Sequence, residues 1–435
     1  MLFLMSAIWQ YEQFFVPLAT SLHHLMRKIA EPIFPFAENT PLLRLAVWFI
    51  AGIVIGVHTS ATVSWLLPAL TLTLLLSLLL RRHPLGQSLM LSVTVLLLGA
   101  TLATRQRVKQ EASGMTVRQW VQTQKEPDVS TMVGRSRLFF LQQRERLLNR
   151  YRQQGLEGDT YALVAAMTLG DKSSIGKDLR HTYNVSGAAH VLALSGLHMG
   201  IIYAILTLLT FGRRRRRIIT QTLIVVALWA FVFLVGMPTS AIRSATMLSL
   251  YALLTLGYRE KASINALAFT ALVMLAISPY ALFDIGFQMS FLAVLSILVW
   301  MPIMSNWVSP ILQLHYPPLR WVWSLITITL AAQLGVAPLI AYYFGRFSTF
   351  FLATNFVAIP AITIIIWLAL ATLIIPALAS LLTVVVNGLN TCLDAINHLP
   401  GASIEGLHPT ILQVSLTYLL ILCVYWLIRV LEVKR

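Results

Sequence analysis

His190-Val191-Leu192-Ala193-Leu194-Ser195-Gly196-Leu197-His198-Met199-Gly200 places two histidines, a serine and two glycines inside an otherwise apolar run. Hydrocarbon offers no hydrogen bonds, so polar groups at membrane depth must face a cavity or another helix. Gly196 and Gly200 have the small-xxx-small spacing that lets another backbone approach closely. The stretch therefore reads as a tightly packed membrane helix, or a broken one, with its polar side chains aimed inward.

The rest of the chain fits a membrane setting. Of 435 residues, 57% are hydrophobic and only 11% charged, against about 25% charged in soluble domains. Repeated apolar stretches are long enough to cross a bilayer core of about 30 Å. The fold class expected is an all-α polytopic membrane protein of about 10-11 transmembrane helices with a short basic extracytoplasmic insertion. Cys392 and Cys423 both lie in apolar runs, which argues against a structural disulfide and a Cys-based metal site.

Four parts are expected along the chain. Residues 1–41 form an N-terminal interfacial segment, with Trp9, Tyr11, Phe14 and Phe15 as anchors. Residues 42–103 hold three helices, at 42–58, 62–80 and 87–103. Residues 104–157 form a short basic extracytoplasmic region. Residues 158–435 form the main membrane domain, with spans at 187–211, 218–236, 240–257, 262–279, 285–302, 321–343, 352–375 and 411–430. Residues 377–398 read equally as a crossing or as an interfacial helix.

Arg81-Arg82, Arg213–Arg217 and Arg259 with Lys261 each flank a span. The positive-inside rule puts all three in the cytoplasm, which leaves 104–185 outside. A cytoplasmic C-terminus, favoured by Arg429, Lys434 and Arg435, would require 377–398 to cross.

The net charge of +16 has two readings: cytoplasmic loops gather Lys and Arg, and a polyanionic cargo needs a cationic path. Residues 105–152 carry 11 Lys or Arg against 4 Asp or Glu, although they face outward. Leu138–Leu156 reads as a basic amphipathic helix. Its arginines, with those just before it, are Arg135, Arg137, Arg144, Arg146, Arg150 and Arg152. They suit a solvated face, lipid headgroups, or an electrostatic footprint for a polyanion.

Polar residues inside the spans are the other candidates. Arg243 shares a helical face with Ser240, Ser244 and Met247. It either snorkels to the outer interface or lines a passage for phosphate-bearing cargo. Asp284 and Gln288 are four residues apart, as a cap with an interhelical hydrogen bond, or as a partner to Arg243 or a histidine. Gln333 and Pro338, like Asn355 and Pro360, suggest kinked, polar-lined helices. His190 and His198 lie about 80° apart around a helix, which makes a shared metal unlikely in geometry. Ser195 lacks the preceding glycine of a GxSxG elbow. No catalytic residue, metal or cofactor is expected, and the chain is not read as an enzyme.

Four stretches together resemble the ComEC-type competence family. They are His190–Gly200, Leu169-Gly170-Asp171-Lys172-Ser173, Ser240-Ala241-Ile242-Arg243-Ser244-Ala245-Thr246-Met247, and Asp284-Ile285-Gly286-Phe287-Gln288-Met289-Ser290-Phe291. The last resembles the family's DPGFQLSF element, with Ile where Pro is usual. The resemblance covers roughly 155–375. It marks Asp171, His190, Ser195, Gly196, His198, Arg243, Asp284, Gly286, Gln288 and Gln333 as channel or family-motif positions.

The resemblance implies a multi-pass channel in the bacterial cytoplasmic (inner) membrane that imports single-stranded DNA during natural transformation. Partners so implied are single-stranded DNA, the lipid bilayer, a cytoplasmic DNA translocase and an extracytoplasmic DNA-binding protein. A single-chain pore and a homodimer both remain open. Arg135, Arg137, Arg144, Arg146 and Arg150 become DNA-contact candidates, with Phe287, Phe291 and Tyr203 as stacking candidates. The outer region is short for a complete OB barrel, and the sequence has neither an HxHxDH-type metal motif nor a Walker A motif. No metallo-β-lactamase-like nuclease is therefore expected within it. The rival readings are a secondary transporter of anionic small solutes, against which the lack of an internal repeat counts, and a degenerate non-transporting relic.

Overall fold

The computed structural model describes residues 40–59, 63–112, 132–210, 217–256, 263–308 and 317–433. The N-terminal segment to residue 39, Arg213–Arg216, Arg259, Lys261, Lys434 and Arg435 lie outside these. The first unit holds α1 (Pro41–His58), α2 (Val63–Leu79) and α3 (Pro84–Ala112). Next come the amphipathic α4 (Met132–Gln153), α5 (Gly158–Leu169) and α6 (Lys177–Val185). The main bundle follows: α7 (Gly196–Leu209), α8 (Arg217–Leu234), α9 (Thr239–Leu256), α10 (Ser263–Ile277), α11 (Ile285–Ser305), α12 (Pro317–Phe344), α13 (Phe351–Thr372), α14 (Ala379–Asn397) and α15 (Ile411–Val433).

Eight helices among the described residues are long and apolar enough to cross a membrane: α1, α2, α3, α11, α12, α13, α14 with its preceding turn, and α15. α7, α8 and α10 are apolar but shorter, and α9 carries Arg243. The protein is an all-α, multi-pass membrane protein. Its only sheet among the described residues is a two-stranded ribbon, in which β1 (Arg346–Ser348) pairs antiparallel with β2 (Ser403–Glu405).

Small residues hold α1 against α3. A Cβ on Gly52 would overlap the Leu96 carbonyl, and one on Gly56 would lie 2.5 Å from the Ala100 carbonyl oxygen. One on Gly99 would overlap the Phe49 carbonyl oxygen. The matched order, 52 with 96 and 56 with 100, makes the two helices parallel. Backbone contact this close maximises dispersion where lipid supplies no hydrophobic drive. α3 also continues without a break to Ala112, across the expected boundary at 103.

The expected span at 187–211 is not one helix. A 3-10 turn, Ala189–Leu192, is followed by extended Ala193, and α7 starts only at Gly196. The broken-helix reading is thus the one observed. The close backbone approach expected at Gly196 and Gly200 is not observed. A Cβ on Gly196 would meet only the Ser244 hydroxyl, at 3.6 Å, and one on Gly200 would meet nothing within 4 Å. The spacing is present, but this face of α7 meets no neighbouring backbone.

α5 lies in the segment 104–185 read as extramembrane, yet ten of its residues, Thr160 through Leu169, are buried. It is apolar on every side and so needs cover on every side. Packing against α4, α13 and α14 supplies that cover. α14 buries Ala379, Leu382, Val386, Leu389 and Leu393 along one face. On its polar side, Asn387 accepts from the Thr160 hydroxyl at 3.2 Å and Asn390 from the Tyr183 hydroxyl at 2.8 Å. Residues 377–398 therefore form the second arm of a hairpin with α13.

Candidate functional site

The four motif stretches meet at one end of the bundle. The α5 helix stops at Gly170, whose φ of 70° closes it in the left-handed form. A Cβ there would press on Leu194 Cδ1 at 2.8 Å and approach the Val235 carbonyl oxygen at 3.4 Å. One glycine thus joins the first motif to the second and to the α8–α9 turn. That turn is tight, with positive φ at Gly236 and Met237.

α4 locks onto the same junction. Arg144 Nη2 lies 3.3 Å from Asp171 Oδ1, and both side chains are largely shielded. Arg137 Nη2 donates to the Gly236 carbonyl at 3.0 Å. Asp171 also accepts from the Ser173 backbone N–H at 3.2 Å and from its hydroxyl at 3.0 Å. Two of the arginines grouped as DNA-contact candidates, Arg137 and Arg144, therefore bind protein. Arg135, Arg146 and Arg150 are exposed. Arg152, also exposed, lies over the Tyr161 ring at 4.7 Å.

Ser195 is the N-cap of α7. Its hydroxyl is 2.8 Å from His198 Nδ1, and its backbone N–H donates to the same nitrogen at 3.3 Å. This is the reciprocal capping box that Ser followed by a polar residue at the third helical position produces. Because Nδ1 accepts, the proton of neutral His198 belongs on Nε2. That Nε2 is buried without a hydrogen-bond partner among the described residues. His190, on the 3-10 turn, is exposed.

The third and fourth motifs meet at Arg243. Its side chain is 7% exposed, and Nη1 lies 3.9 Å from Asp284 Oδ1. Asp284 is itself the N-cap of α11 and accepts from the Phe287 N–H at 2.9 Å. A Cβ on Gly286 would lie 3.3 Å from Arg243 Nη2 and 3.0 Å from Asp284 Oδ1. Gly286 is therefore what lets the guanidinium approach the start of α11. The N-termini of α7, α9 and α11 all open at this end, and each contributes partial positive charge.

Gln288 ties the site to α12 and to the 3-10 turn Pro279–Phe283. Its amide donates to the Leu282 carbonyl at 3.0 Å and accepts from the Tyr343 hydroxyl at 2.8 Å. Gln333 stands apart: it is ten residues before Tyr343 on α12, about 15 Å along the axis, and makes no hydrogen bond with the described residues. Phe287 is 4% exposed and stacks on Phe291 at 4.2 Å. It belongs to the core between α1, α3, α10 and α11, so of the two readings of Phe287, base stacking or ordinary packing, packing is the one observed. Tyr203 donates to Gln221 at 3.3 Å.

The sequence reading missed Gly170, Gly236 and Tyr343 as site-builders. The two glycines carried a signal, since each follows an apolar helical run. Tyr343 carried none. No group of three His, Cys, Asp or Glu that could hold a metal occurs among the described residues.

Several relatives are similar to parts of the chain. ComE operon protein 3 of Bacillus subtilis is 30% identical over 210 residues, covering 48% of this chain and 25% of that protein. An uncharacterized protein of Aquifex aeolicus is 30% identical over 158 residues, covering 36% of this chain and 37% of that protein. The uncharacterized protein YcaI of Escherichia coli is 28% identical over 217 residues, covering 47% of this chain and 28% of that protein. The chain thus spans about a quarter to about a third of these relatives' lengths. No solved structure matches it. The family described as "Competence protein" matches residues 167–431, from the end of α5 through nearly all of α15 and across all four motifs, and the chain belongs to that family.

Proposed function

We propose that this chain is a channel for single-stranded DNA in the bacterial cytoplasmic membrane, serving uptake during natural transformation. One observation carries the reading. Family membership runs across the bundle whose motif end gathers a buried arginine, three helix N-termini and an exposed row of arginines.

A polyanion crossing a bilayer needs cations for its phosphates and shelter from hydrocarbon. Arg135, Arg146 and Arg150 would gather the strand at the outer mouth, releasing its condensed counterions. Arg243 would meet phosphates further in. In this reading the chain positions and admits cargo rather than catalysing a reaction. A cytoplasmic DNA translocase pulls, an extracytoplasmic DNA-binding protein delivers, and a second copy of the chain is a further partner.

The test is import of labelled transforming DNA in a gene-deletion strain, with and without this chain supplied back. The reading expects cytoplasmic label only when the chain is present, with small-anion uptake unchanged. Normal DNA import in the deletion strain, together with loss of small-anion uptake, would overturn it in favour of a solute transporter.

A further inference from the structure

The Arg243 guanidinium has five N–H donors and, among the described residues, accepts help from one group alone. That group is Asp284, and at 3.9 Å the contact is an ion pair too long for a hydrogen bond. Nε is buried with no hydrogen-bond partner among the described residues, and the residue as a whole is 6% exposed. A charge placed like this is costly unless something else binds it.

The space in front of it is shaped for an anion. The first intrahelical bond of α11 runs from the Gln288 N–H to the Asp284 carbonyl. The Ile285 and Gly286 N–H groups precede it and have no helical acceptor. Gly286 presents no side chain, and its Cβ position is 3.3 Å from Nη2 and 3.7 Å from Nη1. The guanidinium therefore reaches the start of α11, where Asp284 Oδ1 lies 3.0 Å from the same Cβ position. Planar forked donors beside free N–H groups suit a tetrahedral oxyanion.

Asp284 is the occupant of this place when no anion is present. Its side chain is 40% exposed, while Arg243 behind it is nearly enclosed. One of its oxygens already caps the Phe287 N–H. That oxygen, Oδ1, is also the one 3.9 Å from Arg243 Nη1, so the carboxylate is held on α11 short of hydrogen-bonding distance.

We infer that Arg243 and the Ile285–Gly286 start of α11 form a phosphate-binding subsite, with Asp284 as an internal competitor that an incoming phosphodiester displaces electrostatically. The inference rests on the channel reading for the identity of its ligand as single-stranded DNA, but the subsite itself is defined by these residues. It predicts opposite signs for two neighbouring substitutions. Arg243→Gln removes the cation. Asp284→Asn removes the competing charge while keeping an oxygen to cap Phe287.

The experiment uses the full chain in lipid nanodiscs with two probes, a labelled oligothymidylate and inorganic pyrophosphate, alongside cellular DNA import. Arg243→Gln should weaken both probes about 10-fold or more and lower the salt slope for oligothymidylate by about 0.7. Asp284→Asn should tighten both. Gly286→Ala should weaken both with no change in charge. If Arg243→Gln yields no folded protein, Arg243→Lys serves, with a smaller loss expected because the fork is gone.

Unchanged binding in Arg243→Gln (or Arg243→Lys) and in Asp284→Asn, with import intact, would overturn the subsite and leave the channel standing. Pyrophosphate binding that depends on Arg243, in a chain that imports no DNA, would sustain the subsite and overturn the channel. Weakening by Asp284→Asn would overturn the competitor role.

Discussion

Arg144 Nη2 and Asp171 Oδ1 stand 3.3 Å apart, with 17% and 15% of their side chains exposed. This contact fastens the basic helix α4 to a motif loop 27 positions further along the chain. Arg137, two turns earlier on the same helix, holds the Gly236 carbonyl. α4 is thus anchored at two points, while its remaining arginines face outward.

Removing one partner leaves the other shielded without its counter-charge, although Asp171 keeps its two Ser173 donors; a lost hydrogen-bonding group costs about 1–3 kcal/mol and a fully buried charge more. Arg144→Ala should therefore loosen α4, letting its backbone unfold locally so that trypsin cleaves after the already exposed Arg146 and Arg150. Limited proteolysis of the purified chain measures this. The charge-swapped pair Arg144→Asp with Asp171→Arg should recover part of the protection. Cleavage at the wild-type rate in Arg144→Ala would show that the pair does not hold the helix.

Glycines separate just as sharply. A methyl on Gly52 overlaps the Leu96 carbonyl, whereas one on Gly200 meets nothing within 4 Å. Gly52→Ala should force α1 and α3 apart at a cost of about 1–3 kcal/mol, the usual range for overpacking. Gly200→Ala should be neutral or stabilising by up to about 1 kcal/mol, from helix propensity alone. Thermal unfolding in detergent, followed by size-exclusion chromatography, ranks the two. The reverse order would contradict the packing described, even though Gly200 lies inside the motif.

Much of the bundle was legible because hydrocarbon imposes one rule on every span. Apolar length marked the helices, and a polar residue inside an apolar run marked the site. Arg243 and Asp284 were identifiable on those grounds, as was the basic helix, whereas Gly286 was marked only by the family resemblance. Pattern alone could not say which face of a helix meets another backbone. The small-xxx-small spacing at Gly196 and Gly200 drew notice, while the same spacing at Gly52 and Gly56 forms the actual contact. Nor does spacing reveal that Arg144 meets Asp171, because nothing local couples residues on separate elements. The positive-inside count puts α5 in the outward-facing stretch 104–185, although it falls within the expected membrane domain 158–435. Its unbroken apolar run, Tyr161 to Met167, was the signal that it is buried.

The Ser195 cap sets where α7 begins. Ser195→Ala removes the hydroxyl that meets His198 Nδ1 at 2.8 Å and should cost about 1 kcal/mol, as for other lost N-caps. Ser195→Asn should be tolerated. His198→Gln should be milder than His198→Leu, because Gln at the third helical position can still accept from the cap N–H. Thermal midpoints of the four variants check this. Equal loss for Gln and Leu would show that His198 matters through volume rather than through its acceptor.

Orientation rests on two facts about the ends of helices. Arg81 and Arg82 sit between α2 and α3, at the start of α3. Its other end carries Gln110, which accepts from Tyr280 just before α11. The basic pair and the motif end therefore lie at opposite ends of α3. The β1–β2 ribbon joins the end of α12 to the loop before α15. Tyr343 near that end binds Gln288 at the start of α11, so the ribbon belongs to the motif end. If the basic pair is cytoplasmic, as the positive-inside rule requires, then Glu405 on β2 faces out. In a background with Cys392 and Cys423 replaced by Ser, Glu405→Cys should react with a membrane-impermeant maleimide on intact spheroplasts. His83→Cys should react only after permeabilisation. The opposite pattern would put Arg243, its helix N-termini and the exposed arginines of α4 on the cytoplasmic side. They would then receive a strand leaving the membrane rather than one arriving, and DNA capture from outside would have to lie elsewhere in the protein.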